Sequence, residues 1–309
     1  MTTTITDHVA RFVAIKRSLG YRFTQNERML RSFARFAEAR NETRICSGTA
    51  LEWASASKAA SAQVQVKKLR VLHDLALWLH AEDDRHEVPP RDALGRSTRR
   101  RPKPYLISVP DIGKLLTAAL SVGPAETIAP LTWHYLFGLI AATGLRTGEA
   151  LALTLDDITP DGLVIRDTKF GKTRMVALHP TTWEALELYL EARLKETTPD
   201  RRLFVIATGR SPGTRHVSGV FRKLAEQAGL RRPGGARGPT LHSLRHSFAV
   251  RSLEMLPPGA GAGRHMLALA TYLGHVHVTS TYWYLEATPV LLRGIAEAVE
   301  QAHTNGGAR

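Results

Sequence analysis

The chain has 309 residues and a formal net charge of +14, which predicts two domains and a polyanionic partner, either nucleic acid or an acidic membrane surface. Its single cysteine, Cys46, excludes an intrachain disulfide and a cysteine-rich zinc site. The first residues lack the basic start and apolar core of a signal peptide, and no apolar run approaches membrane-spanning length. We therefore expect a cytoplasmic protein.

Residues 1–95 are predicted to form a helical N-terminal domain. Asp7 is positioned to cap a first helix, and Thr24 with Glu27 forms a capping-box pattern before a second. Apolar residues of a third segment, Val64 to Leu79, recur at helical spacing. The basic polar faces of these helices suit DNA binding, but taken alone the segment is better explained as an ordinary helical domain.

A basic segment, residues 96–106, follows this region. It contains prolines and shows no apolar periodicity, which is typical of a linker. A solvated charge run is the usual explanation for such a stretch alone, yet its position between two folded regions favours contact with a phosphate backbone. The residues predicted to bind DNA are Arg96, Arg99, Arg100, Arg101 and Lys103.

Residues 107–309 are predicted to form a mixed domain of helices with a small sheet. Ser108 and Asp111 form a helix-capping pattern, and a longer apolar helix follows at about 131–142. A β-hairpin is predicted from strands at 163–165 and 175–178, with a further short strand near Leu155. Further helices are predicted at about 180–193, 214–229, 242–256, 266–273 and 289–303.

Two arginines of this region are candidates for binding a phosphodiester. Arg146 lies in the motif Arg-Thr-Gly-Glu, and Arg245 lies in His-Ser-Leu-Arg-His. A guanidinium donates two parallel hydrogen bonds to phosphate oxygens and does not lose its charge at neutral pH. Such groups stabilise the negative charge that develops on a phosphodiester under attack.

Histidines and a tyrosine accompany the arginines. His242 lies three residues before Arg245, so one helical turn places both side chains on one face. His246 is adjacent to Arg245, and we expect it to point elsewhere and to serve in packing or support. The motif Tyr-Leu-Gly-His ends at His275, and Tyr284 follows nine residues later.

In this order the motifs resemble those of the tyrosine recombinase (lambda-integrase) family, which includes the Xer-type and Cre-type enzymes. The resemblance covers about residues 105–290. It implies that Arg146 and Arg245 hold the scissile phosphate, that His242 donates to this phosphate and aids proton transfer, and that His275 is a further donor. Tyr284 would be the nucleophile that forms a phosphotyrosine ester.

The resemblance also implies a lysine on the hairpin that protonates the departing 5′ oxygen. Lys169 is the better match, with Lys172 as its rival. Glu149 matches an acidic position that orients the cations, although an exposed helix glutamate explains it almost as well.

The family resemblance implies a fold that is mainly α with a small β-sheet, arranged as a two-domain, C-shaped clamp around double-stranded DNA. The implied activity is site-specific DNA recombination, without metal or other cofactor, by a homo-tetramer on synapsed DNA. A type IB topoisomerase, a telomere resolvase and a non-cutting DNA-binding accessory protein remain as alternatives. The stretch Trp-Tyr-Leu-Glu-Ala-Thr-Pro resembles transposon-borne members and favours a mobile-element integrase.

Overall fold

The computed structural model describes residues 3–56, 61–95, 104–166, 173–234, 238–255 and 262–274, together with residues 281 and 284. The chain divides into two compact units, Met1–Pro102 and Lys103–Arg309, and this division falls within the basic segment. Within the described ranges, none of the helices has the length and apolar character that crossing a membrane requires.

The first unit consists of helices in its described part, which confirms the predicted helical character. Its core is formed by apolar residues of all the helices, among them Phe12, Phe33 and Leu72. One of the helices, nine residues long, was not predicted, because only Ala50, Trp53 and Ala54 of it are buried. The helices are α1 Ile5–Ser18, α2 Thr24–Glu38, α3 Ser47–Ser55 and α4 Ala62–His80.

The helix caps of this unit differ from those predicted. Thr4, not Asp7, caps α1, because its hydroxyl accepts a bond from the Asp7 amide. The Asp7 carboxylate in turn accepts a bond from the Thr4 amide, which completes a capping box. The capping box predicted for Thr24 is absent, because Phe23 precedes α2 in a left-handed conformation and the Thr24 hydroxyl donates to the Arg22 carbonyl instead.

The second unit is mainly helical around one large core, which confirms the predicted fold class of a mainly α protein with a small sheet. Helix α5 begins after Ser108, whose hydroxyl accepts a bond from the Asp111 amide, as the sequence predicted. The helices of this unit are α5 Val109–Ala119, α6 Ala129–Thr143, α7 Thr147–Ala152, α8 Pro180–Arg193, α9 Thr214–Gln227, α10 Leu241–Glu254 and α11 Ala262–Tyr272.

The sheet has three antiparallel strands in the order β1 Ile158–Thr159, β2 Gly162–Ile165 and β3 Arg174–Val176. The predicted hairpin is confirmed, with Leu163 opposite Val176 and Ile165 opposite Arg174. The short strand predicted near Leu155 is found as β1, which begins directly after the 3-10 helix Leu155–Asp157.

Helix α6 positions much of the second unit. It is apolar almost all round, and it packs against α5, α8 and α10. Gly144 ends α6 with φ +64°, in the left-handed region that a residue with a Cβ avoids. The chain then turns into the short helix α7, whose N-cap is Arg146. The end of one buried helix therefore sets the position of this arginine.

Candidate active site

Arg146 is held where α7 begins. Its backbone amide donates to Glu149 Oε2 over 3.0 Å, and its Nη1 donates to Glu149 Oε1 over 2.6 Å. Its Nη2 donates to the Gly274 carbonyl over 2.9 Å, although Gly274 lies 128 residues further along the chain. The Arg146 side chain remains 37% exposed, so this cation faces the solvent while its orientation is fixed.

A third arginine, Arg174 at the start of β3, completes this network. Its Nη1 and Nη2 donate to the two carboxylate oxygens of Glu149 over 3.1 and 2.8 Å, and its Nε donates to the Tyr272 carbonyl over 2.9 Å. Glu149 thus bridges Arg146 and Arg174. Because both arginines also bind carbonyls at the end of α11, the network ties that end to α7 and to the sheet.

Arg245 is the most deeply buried cation of the region, with 1% of its surface exposed. Its Nη1 donates to the Gly144 carbonyl over 2.6 Å, and its Nη2 donates to the Leu273 carbonyl over 2.7 Å. These two bonds fix the plane of the guanidinium. They also place Arg245 between the end of α6 and the end of α11.

His242, His246 and Tyr284 lie beside the buried arginine. The rings of His242 and His246 meet edge to face with centroids 4.2 Å apart. The Nδ1 of His246 lies 3.1 Å from the hydroxyl of Tyr284. Tyr284 is 2% exposed and packs in a small apolar cluster with residues of α10 and α11, among them Leu253 and Leu269.

The cations control the charge state of the groups around them. Burial alone would raise the pKa of Glu149, but hydrogen bonds from Arg174 and Arg146 outweigh it and lower the pKa to about 2. Burial lowers the pKa of Arg245 to about 10, with Arg146 as a second cause, so Arg245 stays charged at neutral pH. Burial, with Arg245 and Arg146 nearby, also lowers the pKa of His242, which is therefore neutral at that pH.

The chemical capability of this arrangement follows from its charges. The guanidinium groups of Arg146 and Arg245 are both held in a fixed orientation. The hydroxyl of Tyr284 and the imidazoles of His242 and His246 lie near the more buried Arg245. Such groups can bind an anion with several oxygens and can move protons near it. In the described ranges no group of three or more His, Cys, Asp or Glu side chains could hold a metal ion.

The structure brings together five of the predicted residues: Arg146, Glu149, His242, Arg245 and Tyr284. Glu149 is not an exposed helix glutamate, because its side chain is only 10% exposed and fully paired with arginines. The other predicted residues lie outside the described ranges, as do the hairpin turn and the helix predicted at 289–303. These residues are Lys169, His275, Arg96, Arg99, Arg100, Arg101 and Lys103.

The sequence interpretation missed Arg174 and the contact of His246 with Tyr284. A signal for Arg174 was available, because strand alternation places it on the same face as the buried Val176 and opposite the exposed Met175. His246 was expected to point away from the site on account of its neighbour Arg245. It lies four residues after His242, however, so the two histidines share a face of α10.

Comparison with known proteins places this chain in one family. Residues 112–289 match the phage integrase family. A protein of Sinorhizobium fredii (strain NBRC 101917 / NGR234) named integrase/recombinase y4rB is 35% identical over 308 residues, which cover 97% of this chain and 98% of that protein. The tyrosine recombinase XerD of Brucella abortus biovar 1 (strain 9-941) is 30% identical over 77% of this chain and 75% of its own length.

A solved structure agrees at the level of the fold. The integrase of the transposon Tn1549, in complex with transposon right end DNA, superposes with a TM-score of 0.68. The match covers 96% of this chain and 99% of that one at 17% sequence identity. The chain therefore belongs to the phage integrase family and is a tyrosine-type site-specific recombinase. None of these comparisons favours a topoisomerase, a telomere resolvase or a non-cutting accessory protein.

Proposed function

We propose that this recombinase cuts one strand of duplex DNA with Tyr284. The cut forms a 3′-phosphotyrosine ester and releases a free 5′ hydroxyl. The ester keeps the energy of the broken phosphodiester, so a 5′ hydroxyl of another strand can attack it and release the tyrosine. Strand exchange then needs no nucleotide hydrolysis.

One observation carries this proposal: three motifs that are distant in sequence are tied together around Arg245. Its guanidinium binds the carbonyl of Gly144, which lies two residues before Arg146, and that of Leu273, which is the first residue of the Leu-Gly-His motif. Helix α10 also brings His246 to the hydroxyl of Tyr284. A structural role for any one of these residues would not require the others to converge on the same place.

Each remaining residue has a role in this proposal. Arg146 and Arg245 bind the non-bridging oxygens of the scissile phosphate, where neutral His242 donates a further hydrogen bond. Lys169, on the hairpin that β2 and β3 define, protonates the 5′ oxygen as it leaves, and His275 donates to the phosphate. Glu149 holds both Arg146 and Arg174 and so orients the cations.

DNA is the proposed partner of both units, which would form the predicted clamp around the duplex. The net charge of +14 supports this assignment, and the basic segment that contains Arg99, Arg100 and Arg101 would track the phosphate backbone. We further propose a homo-tetramer on two synapsed DNA sites, within the cytoplasm and associated with the nucleoid. The likeness to the fold of the Tn1549 integrase is compatible with a mobile-element integrase.

The tetramer has its own test. The sequence from Pro289 to Arg309 contains apolar residues at helical spacing and would dock on a neighbouring protomer. Deleting it should leave the binding of single protomers to DNA intact and abolish synapsis, as measured by sedimentation of the protein–DNA complexes. An insoluble or unfolded truncated protein would instead indicate that this segment packs on its own unit.

Covalent trapping tests the proposed function directly. A suicide DNA has a nick next to the cleavage site, so cleavage releases a short fragment that carries the 5′ hydroxyl. Once this fragment diffuses away, the strand cannot be rejoined and the protein stays attached through its tyrosine. Because the recognition sequence is unknown, candidate DNA should come from the ends of the element that encodes the protein. A gel-stable adduct is expected, and resolution of a four-way junction would separate recombination from simple relaxation. If DNA bound specifically forms no adduct, the protein binds without cutting.

A further inference from the structure

The hydroxyl of Tyr284 has a partner that the sequence analysis did not assign. His246 Nδ1 lies 3.1 Å from this hydroxyl, and the two rings are tilted by 61° with centroids 5.4 Å apart. The contact is therefore made through the ring nitrogen and not by stacking of the ring faces. It joins α10 to a tyrosine that lies 38 residues further along the chain and is only 2% exposed.

The position of His246 is fixed by its own helix. Arg245 precedes it and is anchored to two carbonyls, and the ring of His242 meets the ring of His246 at 72°. Residues His242 and His246 are four apart, so one turn of α10 presents both imidazoles side by side. His246 thus stands between the phosphate-binding groups and the tyrosine.

We propose that His246 is the general base that takes the proton from Tyr284 during strand cleavage and returns it during rejoining. This inference rests on the proposed function, because it needs Tyr284 to be the nucleophile. A phenol with an ordinary pKa of ~10 is ionised only to about one part in a thousand at pH 7, whereas an imidazole with an ordinary pKa of ~6.5 is mostly unprotonated there. The hydrogen bond then runs from the phenol O–H to the lone pair of Nδ1, with the imidazole proton on Nε2.

The step balances in atoms and charge. The Oη of Tyr284 forms a bond to phosphorus and gives its proton to His246 Nδ1, while the bond from phosphorus to the 5′ oxygen breaks. That oxygen takes a proton from the general acid, for which Lys169 is proposed. His246 gains the positive charge that Lys169 loses, and the phosphodiester keeps its single negative charge. Rejoining reverses each transfer.

The surroundings can accept a cation at His246. His242, which its ring contacts, is neutral at neutral pH because burial and two arginines lower its pKa. The charges that act on His242 are those of Arg245 on the same helix and Arg146 at the start of α7, and a bound phosphate would offset both. The imidazolium is therefore formed next to the negative charge of the reacting phosphate.

The variant His246→Asn separates proton transfer from positioning. The asparagine oxygen can take the place of Nδ1 and accept the phenol hydrogen bond, but an amide does not take up the proton. We expect single-turnover adduct formation on nicked suicide DNA to fall about 10²- to 10³-fold at pH 7, with DNA binding unchanged. A rate within about threefold of wild type would overturn the proposal, and so would a faster rate, which would make the contact a latch that restrains Tyr284.

A matched control guards against a general effect of the substitution. His134 lies on α6, and its Nδ1 contacts the Leu116 carbonyl over 2.9 Å. His134→Asn should leave adduct formation unchanged, and the melting temperatures of both variants should be compared with wild type. If wild type itself forms no adduct, the proposed function fails, and this outcome is distinct from a wild-type rate in His246→Asn.

A modified substrate separates the base from the acid. When sulfur replaces the bridging 5′ oxygen, the leaving group departs as a thiolate and needs no proton. The rate of His246→Asn should then remain low, because the attack on phosphorus is still slow. Rescue by this substrate would overturn the proposal and assign His246 to the leaving group.

Discussion

Arg174 and Glu149 form a bidentate ion pair in which Nη1 donates to Oε1 over 3.1 Å and Nη2 donates to Oε2 over 2.8 Å. The two side chains are only 13% and 10% exposed. The pair joins β3 to α7, and the same arginine holds the Tyr272 carbonyl. These bonds therefore tie β3, the Arg146 motif and the end of α11 together.

We predict that Arg174→Lys slows cleavage without a large loss of DNA binding. Lysine keeps the charge but cannot bind both carboxylate oxygens and the Tyr272 carbonyl together. Adduct formation should fall roughly 10- to 100-fold, because the groups around Arg146 are displaced. The free energy of unfolding should fall by about 1–3 kcal/mol.

Arg201→Lys is the matched control, since Arg201 is 66% exposed and pairs with an exposed carboxylate. This change should alter stability by less than about 0.5 kcal/mol. Equal losses of activity in the two variants would show that the Arg174 network does not position the site.

The Glu149 carboxylate predicts a pH-dependent difference in stability. Its pKa lies at about 2 in the folded protein and at 4.5 by default, so ionised Glu149 stabilises the fold fully above pH 4.5. This contribution, about 3 kcal/mol by order of magnitude, is lost as the pH falls from 4.5 towards 2. Glu149→Gln should therefore be less stable than wild type at pH 7 in urea unfolding. The gap should narrow at pH 3.5, and a gap of constant size would contradict this account.

Arg146→Lys and Arg245→Lys should both lower cleavage by roughly 10²- to 10³-fold while DNA binding changes little. Their stabilities should differ. Arg245 is buried and holds the carbonyls of Gly144 and Leu273, so its replacement should cost about 1–3 kcal/mol of unfolding free energy. Arg146 is partly exposed, and its replacement should cost less. Near-normal adduct formation by either variant would remove that arginine from the site.

Tyr284→Phe should abolish the covalent adduct while folding and DNA binding persist. The change removes the attacking oxygen and its hydrogen bond with His246, which contributes about 1 kcal/mol. Tyr282 lies outside the described residues, and Tyr282→Phe should still form the adduct. Peptide mapping of a trapped adduct provides the check, and DNA found on Tyr282 would show that the assignment of the nucleophile is wrong.

Chelation should leave cleavage intact. In the proposed mechanism, charge on the phosphate is stabilised by Arg146 and Arg245, and protons are moved by side chains, so no step requires a metal. Single-turnover adduct formation in EDTA should equal that in magnesium. Loss of cleavage in EDTA, restored by added magnesium, would refute this mechanism.

The helical parts of the fold were predictable because their apolar residues recur at a strong helical period. Helix α4 and helix α8 were predicted within about two residues of their ends. The short helix α3 was missed, and the caps of α1 and α2 were misassigned. Caps depend on local backbone angles, such as the left-handed Phe23, which composition and periodicity do not reveal.

The candidate site was predictable as a set of motifs but not as a network. The residue types and their order indicated Arg146, Arg245 and Tyr284. The carbonyl partners of the arginines could not be predicted, because these bonds join residues about 30 to 130 positions apart and depend on how the helices pack. The contact of His246 with Tyr284 has the same origin, since it needs α10 and residue 284 to meet in space.

The glycines at the ends of α6 and α11 limit how such an enzyme can be redesigned. Gly144 and Gly274 have φ values of +64° and +65°, and their carbonyls accept bonds from Arg245 and Arg146. A Cβ would lie 2.5 Å from Phe248 at the first position and 2.8 Å from Arg174 at the second. The orientation of the two guanidinium groups is therefore set by main-chain carbonyls. Mutant libraries that seek new DNA targets can vary the basic surfaces widely, provided that both glycines are left unchanged.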